Sequence, residues 1–234
     1  MAITPSQPVL LGLFFKQPPP TLALLDGLVA KLTGLSSAWL AVIDENSLKA
    51  AQWAQDAQQL LPTGRLSLHF TSEIARQKAH DVLREALPAM AVYPSHCRTV
   101  SPPSIDLNET FVGTVQLCCF NQRDDISRET FTKRWLKDHT SIALETQSTV
   151  GYRQNLVDEH PDIGAAHLAS NPAYDGIVEE YFPVAAATSA AHFFNAVDDT
   201  ALLNTNIARM QQSCARFIDF STILVIHLSD RRIF

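Results

Sequence analysis

The chain has 234 residues, 46% of them hydrophobic and 18% charged, with a formal net charge of −6. That composition carries enough apolar residues for a core and sets aside intrinsic disorder. The acidic balance and the lack of a basic patch argue against nucleic acid as the main partner. No apolar run approaches the roughly 18–20 residues of a membrane helix, and no basic-then-apolar leader opens the chain. The four cysteines, Cys97, Cys118, Cys119 and Cys214, show no CxxC spacing, so zinc is not expected and a reducing cytoplasm is.

In chain order, "PVLLGLFF" at 8–15 is a short apolar run that suits a buried strand. Prolines 18–20 end it and open a helix to Gly34, with Leu22, Leu25, Leu28, Val29 and Leu32 at helical spacing. "SAWLAVID" at 37–44 reads as a second strand, and "GRLSLHF" at 64–70 as a third with Leu66, Leu68 and Phe70 on one face. Thr71 or Ser72 can cap a helix that stops at Pro88. "AMAVYPSHCRTV" supplies a fourth strand.

The order then repeats. "TFVGTVQLCCF" at 110–120 is a strand, followed by a turn at 121–125. Ser127 caps a helix carrying Glu129 in its first turn, on the positive end of the helix dipole. "TVGYRQNLV" at 149–157 and "YDGIVEEYF" at 174–182 are strands, separated by a loop rich in Pro, Asp and Gly. A short helical segment at 185–195, a longer one from Asp199 to Ile218 and the strand "STILVIHLS" at 221–229 complete the set.

Both passes read β-α-β-β-α-β, the ferredoxin-like split motif. The fold class expected is therefore α+β: two tandem ferredoxin-like units, one at 1–100 and one at 110–234, joined by the proline-containing linker 101–109. Each unit leaves one face of its antiparallel sheet bare. Packing the two bare faces together closes a dimeric-type α+β barrel within one chain.

Three ordered segments of the second unit, "FTKRWLKDH", "GYRQN" and "YDGIVEEYF", together resemble the EthD-like family of the dimeric α+β barrel superfamily. The resemblance spans about 112–227, half the chain, and the first unit lacks counterparts of the WxxxH and DG segments. It implies one family-type site per chain, in the second unit, and a small-molecule chemistry such as that of cyclases, isomerases, lyases or monooxygenases.

Phe131, Trp135 and His139 fall on one helical stripe. His139 is the leading catalytic candidate, because an imidazole can act as general acid or base, with Asp138 or Glu180 to orient it. Tyr152 is the second, because a phenol can donate to an enolate or carbonyl oxygen. Candidate substrate-binding residues are Phe131, Trp135, Asp175, Glu180, Phe182 and His227. Each has a plainer reading. The aromatics can simply pack helix on sheet, Asp175 can cap a turn beside Gly176, and His227 can sit at a solvated rim. Glu179 and Glu180 point to opposite faces of their strand, where edge solvation is the common explanation. His160 and His167 suit no metal motif, although His139, His167 and His227 are the first ligands to test for haem or iron. Neither a metal nor a cofactor is expected, since GxGxxG, Walker A, GxSxG and HExxH are all absent.

Three functions fit this reading. One is an enzyme acting on an apolar, aromatic or polyketide-like substrate in a barrel cavity by proton transfer. Another is a non-catalytic carrier of a hydrophobic ligand. The last is a structural barrel filled by Phe14, Trp39, Phe70 and Phe182. A small molecule is the expected partner, with no nucleic acid or membrane, and any homodimer uses a surface other than the barrel seam.

Overall fold

The computed structural model describes residues 6–57, 60–158 and 173–234. The first unit comprises β1 (Gln7–Phe15), α1 (Leu22–Val29), β2 (Leu35–Val42), α2 (Glu45–Leu48), β3 (Gln55–Asp56), β4 (Pro62–Phe70), α3 (Glu73–Ala86) and β5 (Met90–Ser101). The second comprises β6 (Thr114–Gln122), α4 (Arg128–Lys133), a π-helical turn (Arg134–His139), α5 (Thr140–Thr146), β7 (Gly151–Val157), β8 (Gly176–Phe182), α6 (Ala190–Phe193), α7 (Thr200–Cys214) and β9 (Ile218–Arg232). Side-chain caps set the helix starts as the sequence suggests. Ser72 accepts from the Ala75 amide and Ser127 from the Thr130 amide. Among the described residues, no helix is long and apolar enough to cross a membrane.

The strands run β2-β4-β1-β5-β7-β8-β6-β9, and a further pairing of β2 with β9 closes the ring. Every pairing in it is antiparallel. Each group of four has the same internal order, with its first strand flanked by its third and fourth. The two groups meet at two equivalent seams. In one, β5 lies on β7 with Ser95 opposite Val157; in the other, β2 lies on β9 with Trp39 opposite Arg232. Closure leaves no long edge unpaired among the described residues, which removes the usual aggregation hazard of an open sheet. The result is the expected α+β barrel.

Strand alternation sorts side chains between the barrel interior and the helix-covered outer face. Inside lie Val9, Leu11 and Leu13 of β1, Tyr181 of β8, and Leu224, Ile226 and Leu228 of β9, all buried.

The interior also holds charge. Arg65 Nη2 lies 2.9 Å from Glu179 Oε1 and 2.9 Å from Asp230 Oδ2. The Tyr181 hydroxyl donates to Asp230, and Arg153 Nη1 donates to that hydroxyl at 3.2 Å. The Arg153 guanidinium lies over the Trp39 ring at 4.2 Å, a favourable cation–π geometry. Two cations thus face two anions, so the buried charges are paired and the network joins strands of both units.

This packing revises two expectations. The barrel interior is filled rather than open, and of its four supposed fillers only Trp39 points inward. Phe14 and Phe70 lie in the outer cluster beneath the first unit's helices, and Phe182 packs with Phe193 outside the barrel. The strand β8 is central, flanked by β7 and β6. Edge solvation therefore does not account for Glu179 and Glu180, although the two do point to opposite faces as alternation requires.

Candidate functional site

A cavity of about 340 Å³ opens between the outer face of the second unit's sheet and its helices. The corresponding space in the first unit is occupied by Leu25 and Leu28 of α1 and Ala79 and Leu83 of α3, packed with Phe14 and Leu66 of the strands. The two units therefore share a strand order but differ in what lies between sheet and helices.

The cavity floor comes from strand register. Tyr152 of β7 stands opposite Glu180 of β8, Glu180 opposite Gln116 of β6, and Gln116 opposite His227 of β9. This polar row crosses the four strands. Tyr152, Glu180 and Gln116 line the cavity, beside Cys118 and Val178 of the next row. Sequence reasoning missed Gln116; the period-two run Gln116, Cys118, Phe120 carried its signal.

The wall is the helical stripe. Phe131 and Trp135 are fully buried and pack on Phe120, whose ring meets Trp135 edge-on at 5.1 Å. Trp135 and His139 line the cavity, whereas Phe131 sits behind them in the aromatic cluster. The π-helical turn holds both lining side chains. In such a turn the backbone bonds run i→i+5, and where the ladder shifts back to i→i+4 one carbonyl needs another donor. Here the Leu136 carbonyl accepts from Thr140 Oγ1 at 2.9 Å and from Arg98 Nη1. Arg98 belongs to β5, so the first unit helps to shape the turn. Gln154 completes the support: its Oε1 accepts from Arg98 at 2.9 Å, and its Nε2 donates to Tyr152 Oη at 3.0 Å.

The partner of His139 is neither Asp138 nor Glu180, the two residues that sequence proximity and strand pattern put forward. His139 Nδ1 lies 2.9 Å from Ser213 Oγ of α7, and its ring meets Phe217 at 5.1 Å. Asp138 turns instead to Arg216, 3.3 Å away. Ser213 sits far along the chain, and nothing local to His139 pointed to it. Burial lowers the His139 pKa from 6.5 to about 4, so the ring is neutral near pH 7.

Glu180 is 5% exposed, and its Oε1 has no hydrogen-bond partner among the described residues. Burial raises its pKa to about 8, which makes it a neutral carboxylic acid near pH 7. Burial first, and then the Glu180 charge, hold the Tyr152 phenol well above its ordinary value. His227 Nδ1 lies 3.1 Å from Thr114 Oγ1, and burial lowers its pKa to about 4. It is buried under Phe182 and Phe193 rather than placed at a solvated rim.

Asp175 does not reach the cavity. Its carboxylate accepts from Arg128 Nη1 at 2.8 Å and from the Gln122 amide at 2.9 Å, tying β8 to α4 and to the end of β6. Phe182 stacks on Phe193 with ring centroids 4.3 Å apart, and Phe193 lines the cavity. The first unit supplies Trp53 at the mouth, where its indole donates to the Ala187 carbonyl at 2.9 Å and stacks on Phe193 at 5.4 Å. His160 and His167 lie outside the described residues. Among the described residues, no group of three or more His, Cys, Asp or Glu could hold a metal ion.

Such a closed antiparallel barrel with helices on its outer face is the architecture of the dimeric α+β barrel proteins, here completed by one chain. The family model for the EthD domain matches residues 123–221, within the second unit. An anthrone oxidase-like protein of solved structure shares the fold at a TM-score of 0.55 and 9% identity, over 98% of this chain and 94% of that one. A mutant chlorite dismutase from Candidatus Nitrospira defluvii matches at 0.47 and 10%, over 96% and 92%. A monooxygenase-like protein from Fusobacterium nucleatum matches at 0.46 and 9%, over 100% and 94%. No curated protein matches the chain.

Proposed function

We propose that the chain is an enzyme that binds an apolar, ring-bearing molecule between the EthD sheet and its helices and moves a proton on it. The observation that carries this reading is one largely apolar cavity lined by His139, Tyr152 and Glu180 together. Its volume lies at the low end of the roughly 300–1,000 Å³ usual for small-molecule sites, enough for a compact ring system.

In the tautomer whose Nδ1–H donates to Ser213, the His139 Nε2 keeps a lone pair and can take a proton from carbon. Tyr152 receives its hydrogen bond from Gln154, which leaves the phenolic hydrogen free to hold the developing enolate oxygen. The onward fate of that enolate then sets the reaction: protonation elsewhere, ring closure, or attack on dioxygen. Because one fold neighbour is described as anthrone oxidase-like, anthrone is the first substrate to try, a tricyclic ketone whose acidic methylene lies across the central ring from its carbonyl.

The test is anthrone consumption and quinone formation by the wild type, His139→Ala and Tyr152→Phe. The His139 variant should lose about 10²-fold or more of the rate, and the Tyr152 variant about as much. Unchanged turnover in His139→Ala removes the proton-transfer role. One observation favours a second reading, a ligand carrier without catalysis: a histidine whose pKa is depressed to about 4 is a weak base. Tight binding of ring compounds with no turnover of any of them would select that reading.

A further inference from the structure

The row on the cavity floor carries more than a generic acid–base site. Among the described residues, Glu180 presents a buried oxygen with no partner, and no lysine or arginine lines the cavity to neutralise its charge. Tyr152 stands directly opposite on the neighbouring strand, where paired residues lie about 4.5–5.5 Å apart and their side chains can converge on one atom. We infer that Glu180, as a neutral carboxylic acid, and Tyr152 together form a two-donor cradle for a single carbonyl oxygen of an uncharged ligand. A phenol beside a protonated carboxylic acid is an established way of holding an enolate oxygen in an apolar site. The ligand class that follows is a neutral aromatic ketone, and a carboxylate is excluded because it would be buried without a counter-charge. This deepens the cavity reading above and rests on it.

The titratable groups around Glu180 are Tyr152 of β7, directly opposite it, Cys118 of β6 and Cys214 of α7, with His139 of the π-helical turn on the cavity wall and His227 of β9 two strands along the same row. Burial holds both histidines near 4, pushes Cys214 up to about 12 and holds Cys118 and Tyr152 well above their ordinary values. Of these groups, Glu180 alone titrates between pH 6 and pH 10, at about 8. Ligand affinity should therefore follow its proton.

Three naphthalene probes of one skeleton test this by calorimetry: 2-acetylnaphthalene, 2-ethylnaphthalene and 2-naphthoate. Wild type should bind the ketone near pH 6 and lose about tenfold or more in affinity by pH 10. The ethyl compound should bind with no such change, and naphthoate should bind far more weakly than the ketone. Glu180→Gln keeps an N–H donor, so its ketone affinity should stay level across the same range. Independently of any ligand, infrared difference spectra should show a protonated-carboxyl band at neutral pH that Glu180→Gln removes. Ketone affinity that ignores pH, unchanged pH dependence in Glu180→Gln, a missing carboxyl band, or naphthoate binding as well as the ketone overturns the inference. Failure of all three probes to bind overturns it together with the cavity reading. Proton-linked ketone binding without turnover of any substrate sustains the cradle and removes only the catalytic role.

Discussion

Among single residues, the cavity depends on how polar groups are left unpaired within an apolar enclosure. His139 spends one nitrogen on Ser213, Tyr152 takes its hydrogen bond from Gln154, and Glu180 keeps a free oxygen among the described residues. Burial then pushes the histidine down and the carboxyl up, so both are uncharged near neutrality. A glycine makes the aromatic wall possible. A Cβ at Gly176 would meet the Phe120 ring at 2.8 Å and Trp135 Cη2 at 2.9 Å, so both rings sit directly on the strand backbone. We expect Gly176→Ala to cost about 1–3 kcal/mol, as overpacking in a dense core does, measured by urea unfolding. A variant as stable as wild type would show that the Trp135 wall can shift without cost.

Among the helices and strands, the π-helical turn is the least regular part of the site, and support from outside the helix explains it. Arg98 and Gln154 come from β5 and β7 and serve the Leu136 carbonyl and the groups around it. Removing the guanidinium takes a charge-assisted donor from the Leu136 carbonyl and from Gln154 Oε1, leaving both to the one Thr140 hydroxyl, a loss of about 1–3 kcal/mol. Arg98→Ala should therefore lower stability by that order and perturb the His139 ring. Its imidazole NMR resonances, compared with wild type, report the second effect directly. Unmoved His139 resonances in a destabilised Arg98→Ala protein would separate the turn from the site.

The strands also show how far the sequence could be read. Alternation in "YDGIVEEYF" placed Glu179 and Glu180 on opposite faces, and the structure puts one inside the barrel and the other on the cavity floor. Period two in a strand is fixed by backbone geometry, so it survives folding unchanged. What alternation leaves open is which face is filled and which is hollow. The cavity was expected between the two sheets, and it lies between one sheet and its helices.

Across the whole molecule, the buried titratable groups predict a stability profile. The unfolded chain takes up protons on His139 and His227 below about pH 6.5, while the folded chain refuses them until about 4. Burial, aided by Arg153 and Arg65, holds His69 low in the same sense. Stability therefore falls as pH drops through that window. Glu180 acts oppositely: between 4.5 and about 8 the folded chain keeps a proton that the unfolded chain has lost. Three histidines outweigh one carboxyl below about pH 6.5. Above it Glu180 alone of these four still titrates, and stability should decline by about 1.4 kcal/mol per pH unit up to about 8. A maximum near pH 6.5 is expected from denaturant titrations. In Glu180→Gln the alkaline decline should disappear, and its persistence would assign the loss to another group.

The element order, the doubled β-α-β-β-α-β pattern, the helix caps and the likeness of the second half to the EthD family could all be read from the chain of letters. They follow from hydrophobic period, capping residues and local spacing, which are properties of neighbouring residues. Three features came from packing instead: the ion-paired network that fills the barrel, the pairing of Ser213 with His139, and the support that Arg98 lends the turn beside it. Those contacts join residues from distant strands and helices, and long-range pairing leaves no periodic trace in a single chain. The cavity belongs to the same class: the two units share a strand order, and the side chains packed between sheet and helices make one solid and leave the other open.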